Sequence, residues 1–193
     1  MSFGRIDDEQ ITTWALAAGA GDQVAVAAFI RATQGDVYRF VTYLVGAGDA
    51  EDLTQETLLR AVRALPRFAA QSTARTWLLA IARRVAADHI RALRRRPRLA
   101  GAVDWQPGVE QNPDEHRFDE YAALLDLVAG LDPDRREAFV ATQVLGLSYA
   151  EAALVCDCPV GTIRSRVARA RDDLVTALDA DDQRSARRSR LSG

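Results

Sequence analysis

Two sets of side chains in this sequence have types and spacings suited to recognition. The first is Thr162, Arg164, Ser165, Arg166 and Arg169, inside the run CPVGTIRSRVARARDDL. Arginine presents a planar fork that matches guanine edges and phosphates, and Thr and Ser hydroxyls suit phosphate oxygens. The second is Asp49, Asp52, Gln55 and Glu56, inside DAEDLTQETLLRAVRALPRF, where one-turn spacings gather acidic groups on one side of a helix. Taken alone, that side equally fits a solvated helix in which Asp52 and Glu56 pair with Arg60 and nearby charges. The arginine run has its own plain alternative, a helical hairpin that the charges merely keep in solution.

Bond-making chemistry finds little support. There is no Lys anywhere, which rules out a Walker phosphate loop, and neither a nucleophile elbow nor an acid pair with a recognisable pocket is present. Cys156 and Cys158 are spaced C-x-C, and His89 and His116 lie far off in sequence, so no metal or other cofactor is assigned. Two free thiols are expected, as small groups in a turn. The reading is a non-catalytic protein.

The charge distribution supports nucleic-acid contact. The chain has 193 residues and a formal net charge of -2, and its 25 basic residues are all Arg. Between Arg60 and Arg98 stand eleven arginines against the single acid Asp88. A codon preference explains the missing Lys, but it does not explain that clustering. Hydrophobic residues make up 48% and aromatics 7%, with Ala and Leu abundant, so the expected class is all-α. No apolar run reaches a membrane-spanning length, and Asp7, Asp8 and Glu9 stand where a secretory signal would be basic, so a cytoplasmic protein is expected.

Helical elements must position these groups. A short helix is predicted near Ile11 to Ala18, and a longer one after Asp22 through Phe29, Ile30, Val37, Phe40, Val41 and Leu44, stopped by Gly46 and Gly48. Asp49 is the predicted N-cap of the acidic helix, with Asp52 as the reciprocal carboxylate, and Pro66 ends it. Its apolar side is Leu53, Thr57, Ala61 and Leu65. Ser72 or Thr73 then caps a third long helix with an inward stripe of Leu78, Ile81, Val85 and Ala92 and a basic flank at Arg84, Arg91 and Arg95. Trp77 falls at the edge of that stripe, as a core-edge residue or as a stacking platform for an unpaired base.

The stretch 97–117 lacks periodicity and contains Pro97, Gly101, Pro107, Gly108 and Pro113, which marks a flexible linker. Beyond it, a helix through Leu124 and Leu127 is followed by Asp132 and Pro133, an N-cap with proline at the first helical position. The helix from Pro133 should run to about Leu145. Ser148 and Glu151 form a capping box, the turn spans Cys156 to Cys158, and Pro159 opens a last helix with Ile163, Val167, Ala170 and Leu174 inward. This is the anatomy of a helix-turn-helix, whose second helix places N-terminal residues against base edges. The expected organisation is a helical unit at 1–96, the linker 97–117, a helix-turn-helix unit at 118–178 and a disordered tail at 179–193.

Three segments in order, AEDLTQETLLRA, RTWLLAIARRVAADHIRALRRR and CPVGTIRSRVARAR, resemble bacterial extracytoplasmic-function sigma factors of the sigma-70 family. The resemblance covers roughly residues 22–96 and 124–178. It implies two small helical domains, sigma region 2-like and region 4-like. It also implies core RNA polymerase and promoter DNA as partners, with promoter recognition, melting and transcription initiation as the function. By resemblance Asp49, Asp52, Gln55 and Glu56 dock on the clamp coiled coil of the largest polymerase subunit. Gln71, Ser72, Thr73, Arg75, Arg83, Arg84 and Arg91 open and read the minus-ten element. Thr162, Arg164, Ser165, Arg166 and Arg169 read the minus-thirty-five element. The linker acids Asp104 and Glu110 would face the RNA exit path, although a spacer needs nothing beyond solubility. Family members are commonly held inactive by an anti-sigma protein, which the resemblance admits as a further partner. The residues alone also leave open an ordinary helix-turn-helix repressor or activator whose first unit dimerises or senses a ligand.

Overall fold

Asp22 starts the longest helix of the first half for a local reason. Its carboxylate accepts from the backbone N–H groups of Val24 and Ala25 at 2.8 and 3.1 Å, satisfying donors that a helix start leaves unpaired. The computed structural model describes residues 7–95 and 123–191, the side chains of 181–191 excepted. Its first four helices are α1 (Asp8–Gly19), α2 (Gln23–Val45), α3 (Ala50–Ala64) and α4 (Ala74–Arg95), with a 3-10 turn at Leu65–Arg67 between the last two. Helix α5 covers residues 123–129, followed by α6 (Pro133–Phe139), a π-helical turn (Val140–Val144), α7 (Tyr149–Cys156) and α8 (Val160–Leu191). No strand occurs among the described residues. The predicted linker, with Asp104, Glu110 and His116, lies outside them.

The apolar stripe of α2 is buried as its spacing predicts, with Phe29, Val37, Phe40 and Val41 fully enclosed. Each such side chain contributes about 1.5–3 kcal/mol of transfer free energy. Gly46, at φ +92°, stops the helix in a conformation that costs side-chain-bearing residues strain. Gly19 is required for a different reason: a Cβ there would stand 2.6 Å from the carbonyl oxygen of Leu65, so α1 and the 3-10 turn touch backbone to backbone. Helix α1 is tied to α4 as well. The Thr12 hydroxyl donates to the Asp8 carbonyl at 2.8 Å and accepts from the Ala74 N–H at 3.0 Å. With Thr73 Oγ1 accepting from the Thr76 N–H at 3.2 Å, the start of α4 is capped both by the residue just before it and from α1.

The helix-turn-helix forms through the expected caps. Asp132 accepts from the N–H groups of Asp134 and Arg135, and Ser148 and Glu151 form the reciprocal capping box. Asp157 takes the left-handed conformation at φ 52°, which Asp tolerates better than most side chains, and this bends the chain between α7 and α8. Ile163, Val167 and Ala170 are buried and Leu174 packs on the same core.

Four expectations are corrected. The inward arc of α4 is Leu78, Leu79, Ala82, Val85 and Ala86, while Ala92 is exposed. Helices α2, α3 and α7 all pack on α4, so a broader arc is covered, and residues 91–95 emerge into solvent. Asp49 stands at φ -105°, ψ -1° and makes no cap hydrogen bond; its carboxylate lies 3.1 Å from His89 Nε2 instead. The helix from Pro133 does not run regularly to Leu145. It widens at Val140–Val144, where Leu145 N–H bonds to the Val140 carbonyl at 3.0 Å. The tail expected to be disordered continues α8 as helix to Leu191. Low hydrophobicity argues against a packed core, but Ala, Gln and Arg are good helix formers and can prolong a helix already nucleated.

The two units pack together, α4 against α7 and α2 against α6. Polar contacts stitch this junction. Arg75 Nη2 donates to the Leu145 carbonyl at 2.7 Å, Arg83 Nε to Glu137 at 2.7 Å, and Arg136 Nη1 to the Leu44 carbonyl at 3.3 Å.

Candidate nucleic-acid and protein interfaces

Helix α3 carries the acidic side outward because Ala50, Thr54, Thr57 and Ala61 occupy its buried side. Asp52 and Gln55 are exposed, Glu56 is half-exposed, and Asp49 is partly screened beside His89. Glu56 accepts from Arg60 Nε at 2.6 Å, Arg60 Nη1 reaches Asp88 at 3.5 Å, and Asp88 also binds Arg91. The hydrogen bond from Arg91, aided by Arg60, holds the Asp88 carboxyl below the usual carboxylate range. This exposed chain of charges joins α3 to α4, and leaves Asp52 and Gln55 uncovered.

The loop and helix expected at the minus-ten element are divided in their surroundings. Gln71 and Arg84 are exposed, and Arg91 stays largely open despite Asp88. The Thr73 hydroxyl is spent as a cap, and Ser72 Oγ donates to the Thr73 carbonyl at 3.3 Å. Arg75 is only 3% exposed: its Nε donates to Asp36 at 2.5 Å and lies 4.0 Å from Asp8. In this arrangement its guanidinium is enclosed between α1, α2 and the 145 carbonyl, and is not presented to a nucleic acid. Arg83 is likewise engaged by Glu137, whose own carboxyl is pushed up by burial against the opposing pull of Arg83. Trp77 packs at the core edge, its ring 4.9 Å from that of Phe68.

On α8, Arg164, Ser165 and Arg169 are exposed and Thr162 is half-buried. Ser165 Oγ donates to the Thr162 carbonyl at 2.9 Å. Arg166 turns back, bonded to Asp134 and with Nη1 3.6 Å from Cys158 Sγ, so it braces α8 against α6. Arg135 does the same through Asp173 at 2.6 Å. Both thiols are free. Burial pushes the Cys156 thiol up to about 12. Among the described residues no cluster of His, Cys, Asp or Glu could hold a metal ion, and no helix is long and apolar enough to cross a membrane.

Sequence reasoning missed Arg136. It donates to the carbonyls of Leu44, Ala129 and Leu131 from a half-buried position, and burial draws its pKa below the ordinary guanidinium value. Three carbonyl partners remote in sequence or at helix ends leave no local pattern.

An all-helical pair of units, one with an open acidic face and the other a helix-turn-helix with outward arginines, defines a protein that recognises partners rather than transforms them. The sequence matches the family Sigma-70 region 2 over residues 29–96 and Sigma-70, region 4 over residues 121–174. It is 54% identical over 176 residues to the ECF RNA polymerase sigma factor SigC of Mycobacterium tuberculosis, covering 91% of this chain and 95% of that protein. It is 34% identical over 163 residues to the ECF RNA polymerase sigma-E factor of Escherichia coli K12, covering 79% of this chain and 85% of that one. Among solved structures it resembles CnrH in complex with the cytosolic domain of CnrY, with a TM-score of 0.70, 26% identity, and 91% and 99% of the two chains covered. It also resembles the sigma factor RpoE of Bartonella quintana in complex with the anti-sigma factor NepR, with a TM-score of 0.63, 28% identity, and 80% and 97% covered. The chain belongs to the extracytoplasmic-function sigma factors of the sigma-70 family. It is a non-catalytic specificity subunit that binds core RNA polymerase and promoter DNA and directs promoter-specific transcription initiation.

Proposed function

We propose that the two open faces divide the work of initiation. Asp52, Gln55 and Glu56, with Asp49 at the margin, dock on the clamp coiled coil of the largest polymerase subunit. The loop around Gln71 and Ser72, with Arg84 and Arg91, engages the minus-ten element. Arg164, Ser165 and Arg169, with Thr162, read the minus-thirty-five element. The observation that carries this reading is that one structure presents Asp52 and Gln55 uncovered on α3 and Arg164 and Arg169 uncovered on α8. Recruiting Arg75 and Arg83 to DNA as well requires their release from Leu145 and Glu137, so loading on polymerase and separation of the two units belong together. The protein acts in the cytoplasm, and an anti-sigma protein is its inhibitory partner, a reading supported by the complex described for the Bartonella relative.

Reconstituted transcription with core polymerase tests the division of labour. Asp52→Arg combined with Glu56→Arg should abolish co-elution with polymerase while the helical spectrum stays unchanged, and retained co-elution would reject the docking face. Arg164→Ala should weaken a matched upstream element by about 1–3 kcal/mol. An equal loss on every sequence would reject base reading at that position.

A further inference from the structure

We propose that the junction of the two units holds a binding site for a small phosphate-bearing anion, and that occupancy favours the packed arrangement. A cavity of about 480 Å³ opens there, walled on one side by Arg31, Asp36 and Arg39 of α2 with Arg75 of α4, and on the other by Leu145 and Gly146. That volume lies within the usual range for small-molecule sites, roughly 300–1,000 Å³. Three guanidinium groups meet one carboxylate in this wall. Asp8, 4.0 Å from Arg75 Nε, and Glu151, within electrostatic reach of Arg75, offset charge around that residue, so the uncommitted positive charge of the wall is that of Arg31 and Arg39.

The three cations are not equally committed. Arg75 is bound tightly to Asp36, while Arg39 touches Asp36 only at 3.9 Å and is half exposed. Arg31 has no ion pair or hydrogen bond among the described residues. Two exposed guanidinium groups in the same wall as a third, fixed one suit the oxygens of a phosphate or diphosphate, which Arg binds bidentately. Arg171, bonded to Gln143 in the same wall at 2.8 Å, adds a fourth positive group one contact behind.

Both units contribute walls, so the site is complete only while they are packed. A ligand that binds only the packed form stabilises it by linkage, and separation releases the ligand. Its effect on transcription rests on the roles proposed above for Arg75 and Arg83; binding to the free chain does not.

Calorimetric titration of the full chain with inorganic pyrophosphate tests the site, beside the Arg31→Ala, Arg39→Ala double variant. Both substituted positions are exposed, and circular dichroism checks that the variant is folded. Saturable binding to the wild type, weakened at least about tenfold in the variant, is expected, that being the worth of one lost charge-assisted contact. Pyrophosphate should also raise the melting temperature of the wild type and not of the variant. Absence of binding, binding indifferent to the double substitution, or an equal thermal shift from sodium chloride at matched ionic strength would overturn the proposal. So would a result in which a short single-stranded oligonucleotide depends on Arg31 and Arg39 and pyrophosphate does not, since the wall would then serve the DNA backbone. No polymerase is present in these measurements, so failure of the docking assignment would leave their outcome unchanged.

Discussion

Glu137→Gln isolates one contact between the two units. The carboxylate lies 2.7 Å from Arg83 Nε, and the side chains are 15% and 25% exposed. Removing one partner of a fully buried pair costs about 3–5 kcal/mol, whereas a solvent-exposed pair contributes about 0.2–1 kcal/mol. This pair falls between, and two features pull it toward the lower value. Glutamine keeps an acceptor oxygen for Arg83, and as a neutral group it escapes the burial penalty that raises the carboxyl's pKa. The expected loss is therefore about 1–2 kcal/mol, or roughly 5- to 30-fold in the opening equilibrium of the junction. Native-state amide hydrogen exchange reads that quantity region by region. Exchange in α7 and in residues 140–147 should accelerate by that factor, while amides in the middle of α2 keep their rates. Equal acceleration of both regions would mean that the units unfold as one, and unchanged exchange at 140–147 would mean that Arg83 and Glu137 do not hold them together.

Other outcomes follow from the same packing. Arg136→Ala removes donors from three carbonyls and should lower stability by about 2–4 kcal/mol, seen as a reduced denaturation midpoint; an unchanged midpoint would count against its bridging role. Gly19→Ala sets a methyl 2.6 Å from the Leu65 oxygen and should cost about 1–3 kcal/mol in thermal melting, with no loss expected only if α1 and the 3-10 turn are not in contact. With a thiol-reactive dye at pH 8, the half-buried Cys158 should react first and the buried Cys156, its thiol pushed up to about 12, far more slowly. Equal rates would contradict the enclosed position of Cys156.

Elements specified by neighbours in sequence were legible. Asp22, Asp132 with Pro133, and Ser148 with Glu151 start helices where the sequence places them, because a cap needs only the next three residues. The apolar spacing of Phe29, Val37, Phe40 and Val41 marked a buried face for a similar reason. The arginine and acidic faces were legible as patterns, but not the partners of individual members. Arg75 reads as one more cation in a basic stretch, and its burial depends on Asp36 and on a carbonyl 70 positions away. Arg166 belongs to the same periodic face as Arg169, yet Asp134 draws it inward. The π-helical turn had no signature either, since Val140–Val144 contains no Gly or Pro that would mark a change in the helix. Asp49 shows that a good capping residue can leave its cap unmade when its backbone, at ψ -1°, is not in the extended conformation that a cap uses.

The Thr12 hydroxyl, placed between two helices, makes the first described helix a structural dependency of a segment 62 positions downstream. A shortened protein lacking that leading helix would lose more than a packing layer. The amide that begins α4 would have to find water, and the bend carrying Gln71 and Ser72 would loosen at its anchored end. Deletions at the amino end and substitutions near the bend should therefore not be treated as separable manipulations.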